Sequence, residues 1–231
     1  MQRLLSFSTV ILIPTLNEEE GIAPTLAEFK VTLEDSTYLV VDGGSTDRTV
    51  EIAQRLGAEI LVQKGRGKGN AIAEGLSSIK DDPKYVVFTD ADFTYPAKYV
   101  LDMIQILEAR PNVGMATGNR FNHLLTASAM NDPFYIGNRF LASAHRLLNG
   151  VDLNDALTGL RVVRWEILKG WKPKSTGFDI EVELNHQVER GGYQIVEVPI
   201  PYRARLGEKK LKLRHGFLIL KRILLESLAY R

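Results

Sequence analysis

The sequence predicts an α/β fold in which a mostly parallel, Rossmann-like central sheet carries helices on both faces. Short apolar segments alternate with amphipathic segments of helical length four times within about 90 residues, which is typical of such a sheet. Several apolar segments also end in polar residues, at the edge where open α/β sheets bind their ligands. The chain has 231 residues and no interrupting linker, so we expect a single domain over residues 1–231.

The composition is that of an ordinary globular protein, with 45% hydrophobic and 25% charged residues. There is no cysteine, which excludes disulfides, thiolate metal sites and cysteine nucleophiles. No apolar run approaches the roughly 20 residues that span a bilayer. The net charge of +1 is unevenly distributed, since residues 203–231 hold nine Lys or Arg against two Glu. This basic segment favours an anionic surface as a partner, and we expect no nucleic acid.

The first half of the chain supplies the alternating elements. We predict strands at 9–13, 38–42, 58–62 and 86–89, and helices at 17–33, 46–56 and 71–79. Pro14 is expected to end the first strand, and Asn17 to cap the following helix.

The second half continues with both kinds of element. We predict strands at 113–118, 159–163 and 193–198, and helices at 97–109, 134–148, 177–189 and 213–230. Residues 119–133 are polar and irregular, and we expect a mobile loop there.

Two carboxylates follow the buried strand at 86–89. Asp90 and Asp92 stand one residue apart, directly where the apolar run ends. Oxygen ligands in this arrangement can hold a divalent cation that bridges to phosphates. The alternative is a polar loop in which Asp92 starts a turn.

Other strand ends carry further candidates. Asp42 ends the second strand and Thr15 follows the first, so both are expected at the same sheet edge as Asp90. Asp42 can accept hydrogen bonds from a base or ribose, or it can cap the turn that follows. Lys68, in the glycine-rich loop at 64–70, can meet phosphates, or the loop is a solvated turn.

Several downstream residues suit an anionic ligand or a sugar. Arg139 and Ser143 share a helix face at i and i+4, where they can grip a phosphate or simply face solvent. Arg120 follows a strand end. Asp179 and Glu181, near the start of a helix, can face a sugar or serve only as partners of the helix dipole.

The final predicted helix is both apolar and basic. Leucines and Phe217 alternate with Lys and Arg along residues 211–228. The pattern favours a helix that lies on an anionic membrane surface. The alternative is a helix that packs on the core with a solvated basic face.

Together, six motifs in order resemble family 2 glycosyltransferases of the GT-A fold, and more narrowly the dolichyl-phosphate mannose and glucose synthases. The similarity extends over about residues 10–213. The motifs are residues 13–18 (IPTLNE), 41–47 (VDGGSTD), 67–69 (GKG), 90–92 (DAD), 118–121 (GNRF) and 158–161 (TGLR).

The resemblance implies an inverting transfer of a hexose from a nucleotide sugar to dolichyl or polyprenyl phosphate. Carried over by position, the nucleotide-sugar site comprises Pro14, Thr15, Asn17, Glu18, Asp42, Lys68, Asp90, Ala91 and Asp92. Asp90 and Asp92 would hold Mg²⁺ or Mn²⁺ on the diphosphate. The catalytic group comprises Asp92, Arg120, Arg139, Ser143 and Arg205, with the last four around the acceptor phosphate. Asp179 is a candidate sugar contact.

The resemblance also implies a functional division of the chain. Residues 1–118 would bind the nucleotide sugar, 119–212 the acceptor, and 213–231 the membrane. The variant motifs at 42–47 and 202–205 look closer to archaeal synthases that use UDP-sugars, so UDP-glucose or UDP-GlcNAc is favoured. The alternatives are a GDP-mannose-dependent synthase, a family 2 transferase with a non-lipid acceptor, and a nucleotide-sugar-binding regulator without turnover. Peripheral attachment on the cytoplasmic side, directly or through a membrane-anchoring subunit, is expected.

Overall fold

A seven-stranded sheet lies at the centre of the protein, which we describe from a computed structural model over residues 8–121 and 133–229. The strand order is β3-β2-β1-β4-β6-β5-β7. The strands are β1 Thr9–Thr15, β2 Thr37–Asp42, β3 Glu59–Val62, β4 Tyr85–Phe88, β5 Val113–Asn119, β6 Arg161–Arg164 and β7 Gln194–Pro199. Strands β1 to β4 pair in parallel, and β5 pairs in parallel with β7. Strand β6 runs antiparallel between β4 and β5, so the sheet is mostly parallel, as predicted.

Helices cover both faces of this sheet. In the described residues they are α1 Glu19–Thr32, α2 Thr49–Arg55, α3 Lys68–Ser78, α4 Tyr99–Ala109, α5 Pro133–Asn149, α6 Trp165–Leu168, α7 Ile180–Arg190 and α8 His215–Ala229. The short α6 was not predicted. The segment at 119–133, predicted to be a mobile loop, falls mostly outside the described residues; Asn119 itself belongs to β5 and Pro133 to α5.

The alternation of side chains along the strands divides the core into two layers. Ile11 and Ile13 pack with residues of α1 and α4 on one face. Val10 and Leu12 pack with residues of α3 and α7 on the other. Because both faces of a parallel strand are buried, its sequence is a continuous apolar run, and this run made the strands predictable.

Strand β1 continues through Pro14, so the prediction that this proline ends the strand was wrong. The pairing of β1 with β4 ends at Leu12, opposite Phe88. The carbonyl of Leu12 faces β4, where it accepts the Thr89 N–H at 3.4 Å. Pro14, two residues on, faces the same side. Its missing N–H therefore lies where β4 has already ended, and no ladder hydrogen bond is lost.

Asn17 does not cap α1, contrary to prediction. Its Oδ1 accepts the N–H of Thr46 at 2.8 Å instead. The N–H groups of Glu18 and Glu19 donate to Thr49 Oγ1 and Asp47 Oδ2, at 2.8 and 3.1 Å. Asp47 and Thr49, at the start of α2, thus cap α1. The cap comes from a distant part of the chain and not from the residues directly before the helix.

The strand order places a crevice at the carboxyl ends of β1 and β4. From β1 the chain proceeds to β2 on one side and, through α3, to β4 on the other. Such a switch point is where open α/β sheets bind ligands. Because β6 is antiparallel, its first residue, Arg161, pairs with Phe88, which is the last residue of β4. The turn before β6 therefore meets the same crevice.

Candidate active site

A cavity of about 530 Å³ occupies this crevice. It extends from Gly43 and Gln63 at the β2–β3 end, past Asp90 and Asp92, to Ile219 of α8. The predicted site residues that line it are Pro14, Thr15, Glu18, Lys68, Asp90, Ala91, Asp92, Arg120 and Arg205. The predicted residues that do not line it are Asn17, Asp42, Arg139, Ser143 and Asp179.

Asp90 and Asp92 each have a cationic partner at the cavity. Lys68 Nζ donates to Asp90 Oδ1 at 2.7 Å, and Arg205 Nη1 to Asp92 Oδ2 at 2.8 Å. Burial opposes ionisation of Asp90, but the charge of Lys68 outweighs it, so the pKa of Asp90 lies below its usual value. Burial, followed by the charge of Asp90, raises the pKa of Asp92. The pKa values of the two carboxylates are thus shifted in opposite directions.

Helix α1 and a strained turn hold these carboxylates in place. Thr25 Oγ1 of α1 donates to the carbonyl of Ala91 and accepts the N–H of Phe93. A Cβ on Gly21 would lie 2.5 Å from the same carbonyl, so only glycine permits the contact. Phe93 has a φ of 64°, an uncommon conformation for a bulky residue that is found disproportionately at functional sites.

Lys68 also pairs with Glu181, which lines the cavity. Its Nζ lies 2.8 Å from Glu181 Oε1, and both side chains are largely buried. Asp179 instead accepts a hydrogen bond from Arg222 Nε of α8 at 3.1 Å. Asp179 directly precedes α7 and Glu181 lies in its first turn, so the two side chains leave the backbone in different directions. The structure brings Glu181 to the site and not Asp179.

A basic segment at residues 205–210 contacts Glu18 at the cavity. Arg205 Nη2 and Lys210 Nζ both donate to Glu18 Oε1, the latter at 2.9 Å. The N–H of Leu206 donates to the carbonyl of Asp92 at 3.1 Å. Glu18 Oε2 is buried without a hydrogen bond among the described residues, and burial raises the pKa of Glu18. Arg205 therefore connects the two acidic positions, Glu18 and Asp92.

Arg120 forms a bidentate pair with Asp155. Its Nε and Nη2 donate to the two carboxylate oxygens at 2.7 Å each. The guanidinium also lies 5.5 Å from the Phe121 ring centroid and 5.2 Å from that of Tyr202. Burial disfavours its charge, but Asp155 outweighs this effect and raises the pKa of Arg120. Arg120 is thus a fixed cation at the cavity wall.

Asp42 is committed to a turn. It accepts the N–H groups of Gly44 and Ser45 at 2.9 and 3.0 Å, and the hydroxyl of Ser45 at 2.5 Å. Its side chain is buried and does not line the cavity, whereas its neighbour Gly43 does. The structure thus shows Asp42 as a turn cap, and a contact between Asp42 and a nucleotide stays a prediction.

Arg139 and Ser143 lie on the exposed face of α5. The hydroxyl of Ser143 donates to the Arg139 carbonyl at 2.9 Å. Arg139 Nη1 lies 3.5 Å from both oxygens of Asn154. Neither residue lines the cavity, although Asn138, next to Arg139, does. The two side chains share a face of α5, as predicted, but that face is exposed and outside the cavity lining.

The glycine-rich loop before α3 packs against residues 175–176 at its C-terminal end, whereas Lys64 and Arg66 are exposed. A Cβ on Gly69 would lie 2.2 Å from the carbonyl oxygen of Ser175, and Gly67 has a φ of 94°. The N–H of Gly69 donates to the carbonyl of Thr176 at 3.0 Å. Glycine at these positions allows α3 to begin against the 175–176 segment, so that Lys68 projects into the cavity.

Some cavity residues were not singled out from the sequence. Gln63 directly follows β3, so the rule that placed Asp42 and Asp90 at strand ends would have found it. Asn138, Leu157, Phe178 and Ile219 come from distant segments, and no local signal marks them.

The charges of the cavity suit anionic ligands and a divalent cation. Of the described residues that line it, six are Lys or Arg and four are Asp or Glu. Asp90 and Asp92 offer the oxygen donors that Mg²⁺ and Mn²⁺ prefer. The described residues contain no cluster of three His, Asp or Glu that could hold a metal ion. Further oxygen ligands would therefore come from substrate phosphates or water.

Comparisons with known proteins agree with this architecture. The family model described as Glycosyl transferase family 2 matches residues 10–168. In structure, the chain is similar to glucosyl-3-phosphoglycerate synthase from Mycobacterium tuberculosis in complex with Mn²⁺, UDP-glucose and phosphoglyceric acid. The TM-score is 0.74 at 23% sequence identity, over 96% of this chain and 80% of that one. At this identity the likeness establishes the shared GT-A fold.

Two sequence relatives come from Haloferax volcanii. The dolichyl-phosphate hexose transferase is 34% identical over 203 residues, 87% of this chain and 85% of that protein. Glycosyltransferase AglJ is 35% identical over 196 residues, 84% of this chain and 63% of AglJ. The dolichol-phosphate mannosyltransferase of Pyrococcus furiosus is 30% identical over 235 residues, 91% of this chain and 63% of that protein. The chain thus spans less than two thirds of two of these relatives. On the family match and these identities, the chain belongs to glycosyl transferase family 2.

Proposed function

We propose that this protein transfers a hexose from a nucleotide sugar to dolichyl or polyprenyl phosphate in a reaction that requires Mg²⁺ or Mn²⁺. The charges of the cavity carry the proposal. The side chains that line the cavity carry two more positive than negative charges. A divalent cation at Asp90 and Asp92 would raise this positive excess to four. A nucleotide-sugar diphosphate and a phosphate monoester each carry roughly two negative charges at neutral pH, so the two substrates together balance the site.

The cavity has two chemically distinct ends. Pro14, Thr15 and Gly43 line the end at β1 and β2, which we assign to the nucleoside. The end near α8 is lined by the apolar side chains of Leu157, Phe178, Leu211 and Ile219. A cavity that holds both this apolar wall and Arg120 suits a phosphate that is attached to a hydrocarbon chain.

The proposed reaction inverts the configuration at the sugar. Arg120 and Arg205 orient the acceptor phosphate, and one of its oxygens forms a bond to the anomeric carbon. The bond from that carbon to the diphosphate breaks, and the diphosphate leaves with the electron pair. A phosphate monoester is largely deprotonated at pH 7, so no general base is required. A divalent cation, when held by Asp90 and Asp92, would neutralise the leaving diphosphate.

A membrane surface is part of the proposal, on the cytoplasmic side. Helices α5 and α8 expose large apolar side chains, among them Phe140 at 61% and Phe217 at 78%. Arg139, Lys212 and Lys221 accompany them, so the surface combines apolar and basic groups, as surface-bound helices do. No helix in the described part of the chain is long and apolar enough to cross a membrane.

The names of the relatives support the acceptor class but leave the sugar open. One is a dolichyl-phosphate hexose transferase and another a dolichol-phosphate mannosyltransferase. We favour UDP-glucose or UDP-GlcNAc as donor, with GDP-mannose as the alternative.

The decisive experiment supplies purified protein with dolichyl phosphate, Mn²⁺ and each radiolabelled donor in turn. We expect lipid-linked sugar from one donor, and none after chelation of the metal. Asp92→Asn should lower kcat/KM by at least about 100-fold, because it removes both a donor contact and a metal ligand.

Asp82→Asn is the matched control, since Asp82 is exposed and contacts Lys169 and Trp165 instead. Absence of lipid-linked product with every donor would refute the proposal. Equal transfer to a water-soluble phosphate would instead indicate a non-lipid acceptor.

A further inference from the structure

Glu197 of β7 holds a turn that borders the cavity. Its Oε1 accepts the N–H of Asp155 at 2.7 Å. Its Oε2 accepts the backbone and side-chain N–H groups of Asn154, at 3.0 and 2.9 Å. One carboxylate thus satisfies three donors of two adjacent residues. Neither Glu197 nor these two residues line the cavity.

Asp155, which Glu197 holds in place, in turn binds Arg120. Its side chain is fully buried, and it accepts the backbone N–H of Arg120 at 3.0 Å as well as the two guanidinium bonds. Asp155 uses Nε and one N–H of Nη2 of Arg120, so the two N–H groups of Nη1 and the second of Nη2 remain for a ligand. The Phe121 and Tyr202 rings lie beside the guanidinium and limit its rotation. The orientation of the Arg120 donors is therefore set by the position of Asp155.

Asn154 is also next to Arg139. Both its oxygens lie 3.5 Å from Arg139 Nη1, a distance at which any hydrogen bond is weak. Among the described residues, no carboxylate lies within 4.0 Å of Arg139. One turn therefore contacts two arginines: Arg120 is paired with Asp155, whereas Arg139 has no carboxylate partner among the described residues.

We propose that Glu197 and Asp155 are positioning residues for the acceptor phosphate, and that they act through Arg120. The inference rests on the proposed function, which assigns Arg120 to that phosphate. Glu197 fixes the turn from the strand side, and the turn holds Arg120 at the cavity wall. Displacement of the turn would weaken acceptor binding and leave the nucleotide-sugar end unchanged.

Glu197→Gln tests the inference with little change in shape. An amide keeps one acceptor but presents its NH₂ group to N–H donors, so the turn loses at least one hydrogen bond. We expect KM for dolichyl phosphate to rise about tenfold, as for other residues that orient a ligand-binding group. KM for the nucleotide sugar and the melting temperature should stay near the wild-type values. A role confined to stability would lower the melting temperature and affect both substrates alike.

Asp152→Asn is the matched control. Asp152 stands in the same turn and loses the same charge, but it is exposed and pairs with Arg146. Its KM values should equal those of the wild type. Asp155→Asn should show the same selective loss as Glu197→Gln, more strongly, because it disrupts the bidentate pair itself.

The outcomes separate the inference from the proposed function. If the wild type transfers no sugar to dolichyl phosphate, the proposed function fails and the inference fails with it. If the wild type is active and Glu197→Gln matches Asp152→Asn, the proposed function stands and the positioning role is wrong. A parallel rise in both KM values for Glu197→Gln also overturns the inference.

Discussion

Lys68 shows how one residue can stabilise the site before any substrate binds. Its ammonium group lies between Asp90 and Glu181, at 2.7 and 2.8 Å. Burial alone would lower the pKa of Lys68, but the two carboxylates reverse the effect and raise it. The lysine thus supplies counter-charge to acids that are otherwise costly to keep together in a crevice.

Lys68→Met should therefore destabilise the protein at neutral pH. Two acids would lose their counter-charge, at a cost of about 2 kcal/mol once the partial exposure of Asp90 is considered. This corresponds to a fall of roughly 4–8 °C in melting temperature for a chain of this size. Thermal unfolding with and without Mn²⁺ is the measurement, and Mn²⁺ should stabilise the variant more than the wild type.

Lys64→Met is the control, because Lys64 is exposed in the same loop and has no ion pair within 4.0 Å among the described residues. A Lys68→Met protein as stable as Lys64→Met would show that Lys68 does not compensate buried charge.

At the scale of single elements, α8 packs on the protein along one side and exposes apolar side chains elsewhere. Ile219 and Ile223 are buried against Leu141 of α5 and Val182 of α7, so one stripe packs on the protein. The opposite side leaves Phe217 exposed, and with it Leu218, Leu224, Leu225 and Leu228. A helix that is apolar on two sides needs a second apolar partner, and a bilayer surface provides one.

The exposed stripe of α8 should determine membrane binding. Phe217→Ser combined with Leu228→Ser removes two side chains that are 78% and 69% exposed, so the fold should lose little stability. Each such side chain contributes about 1.5–3 kcal/mol when buried, so partitioning onto anionic vesicles should fall by more than tenfold. Vesicle co-sedimentation measures this.

Val31→Ser, which removes an apolar side chain that is 88% exposed on α1, should leave vesicle binding unchanged. Equal binding by the double variant and the wild type would exclude α8 as the membrane contact.

At the scale of the whole molecule, α8 packs against α5 and α7, and each of these two helices contains a buried histidine. His145 of α5 is fully buried, and its Nδ1 lies 2.9 Å from Asn149 Nδ2. His186 of α7 is 1% exposed, and its Nε2 is 3.6 Å from Glu226 of α8. Burial, followed by the charge of His186, lowers the pKa of His145 to about 3. Folding therefore requires His145 to be neutral.

This requirement predicts acid sensitivity of the fold. The unfolded chain binds a proton at His145 below pH 6.5, whereas the folded protein does so only near pH 3. The free energy of unfolding should thus fall as the pH decreases through this window, by at most about 1.4 kcal/mol per unit from His145. Urea unfolding from pH 8 to pH 4 measures the slope. His145→Gln should flatten it, and parallel slopes for the two proteins would contradict the assignment.

The architecture and the central acids were accessible from the sequence because they depend on local rules. Buried parallel strands are continuous apolar runs, and their carboxyl ends meet at one edge. Asp90, Asp92 and Thr15 were placed at the cavity in this way. Lys68 and Arg205 were placed there through the family resemblance, which preserves the order of motifs.

Only the tertiary structure decided which side chains meet. Asp155 pairs with Arg120 over 35 positions and Arg205 with Asp92 over 113, and no spacing encodes such contacts. Asp179 pairs with Arg222 and does not line the cavity. Asn17 accepts the N–H of Thr46 and does not cap its own helix. By itself, the sequence determined the sheet, its binding edge and the acids at that edge, since hydrophobic periodicity and strand direction are local properties. The partners of those acids come from distant segments of the chain, so they depend on the packing of the tertiary structure.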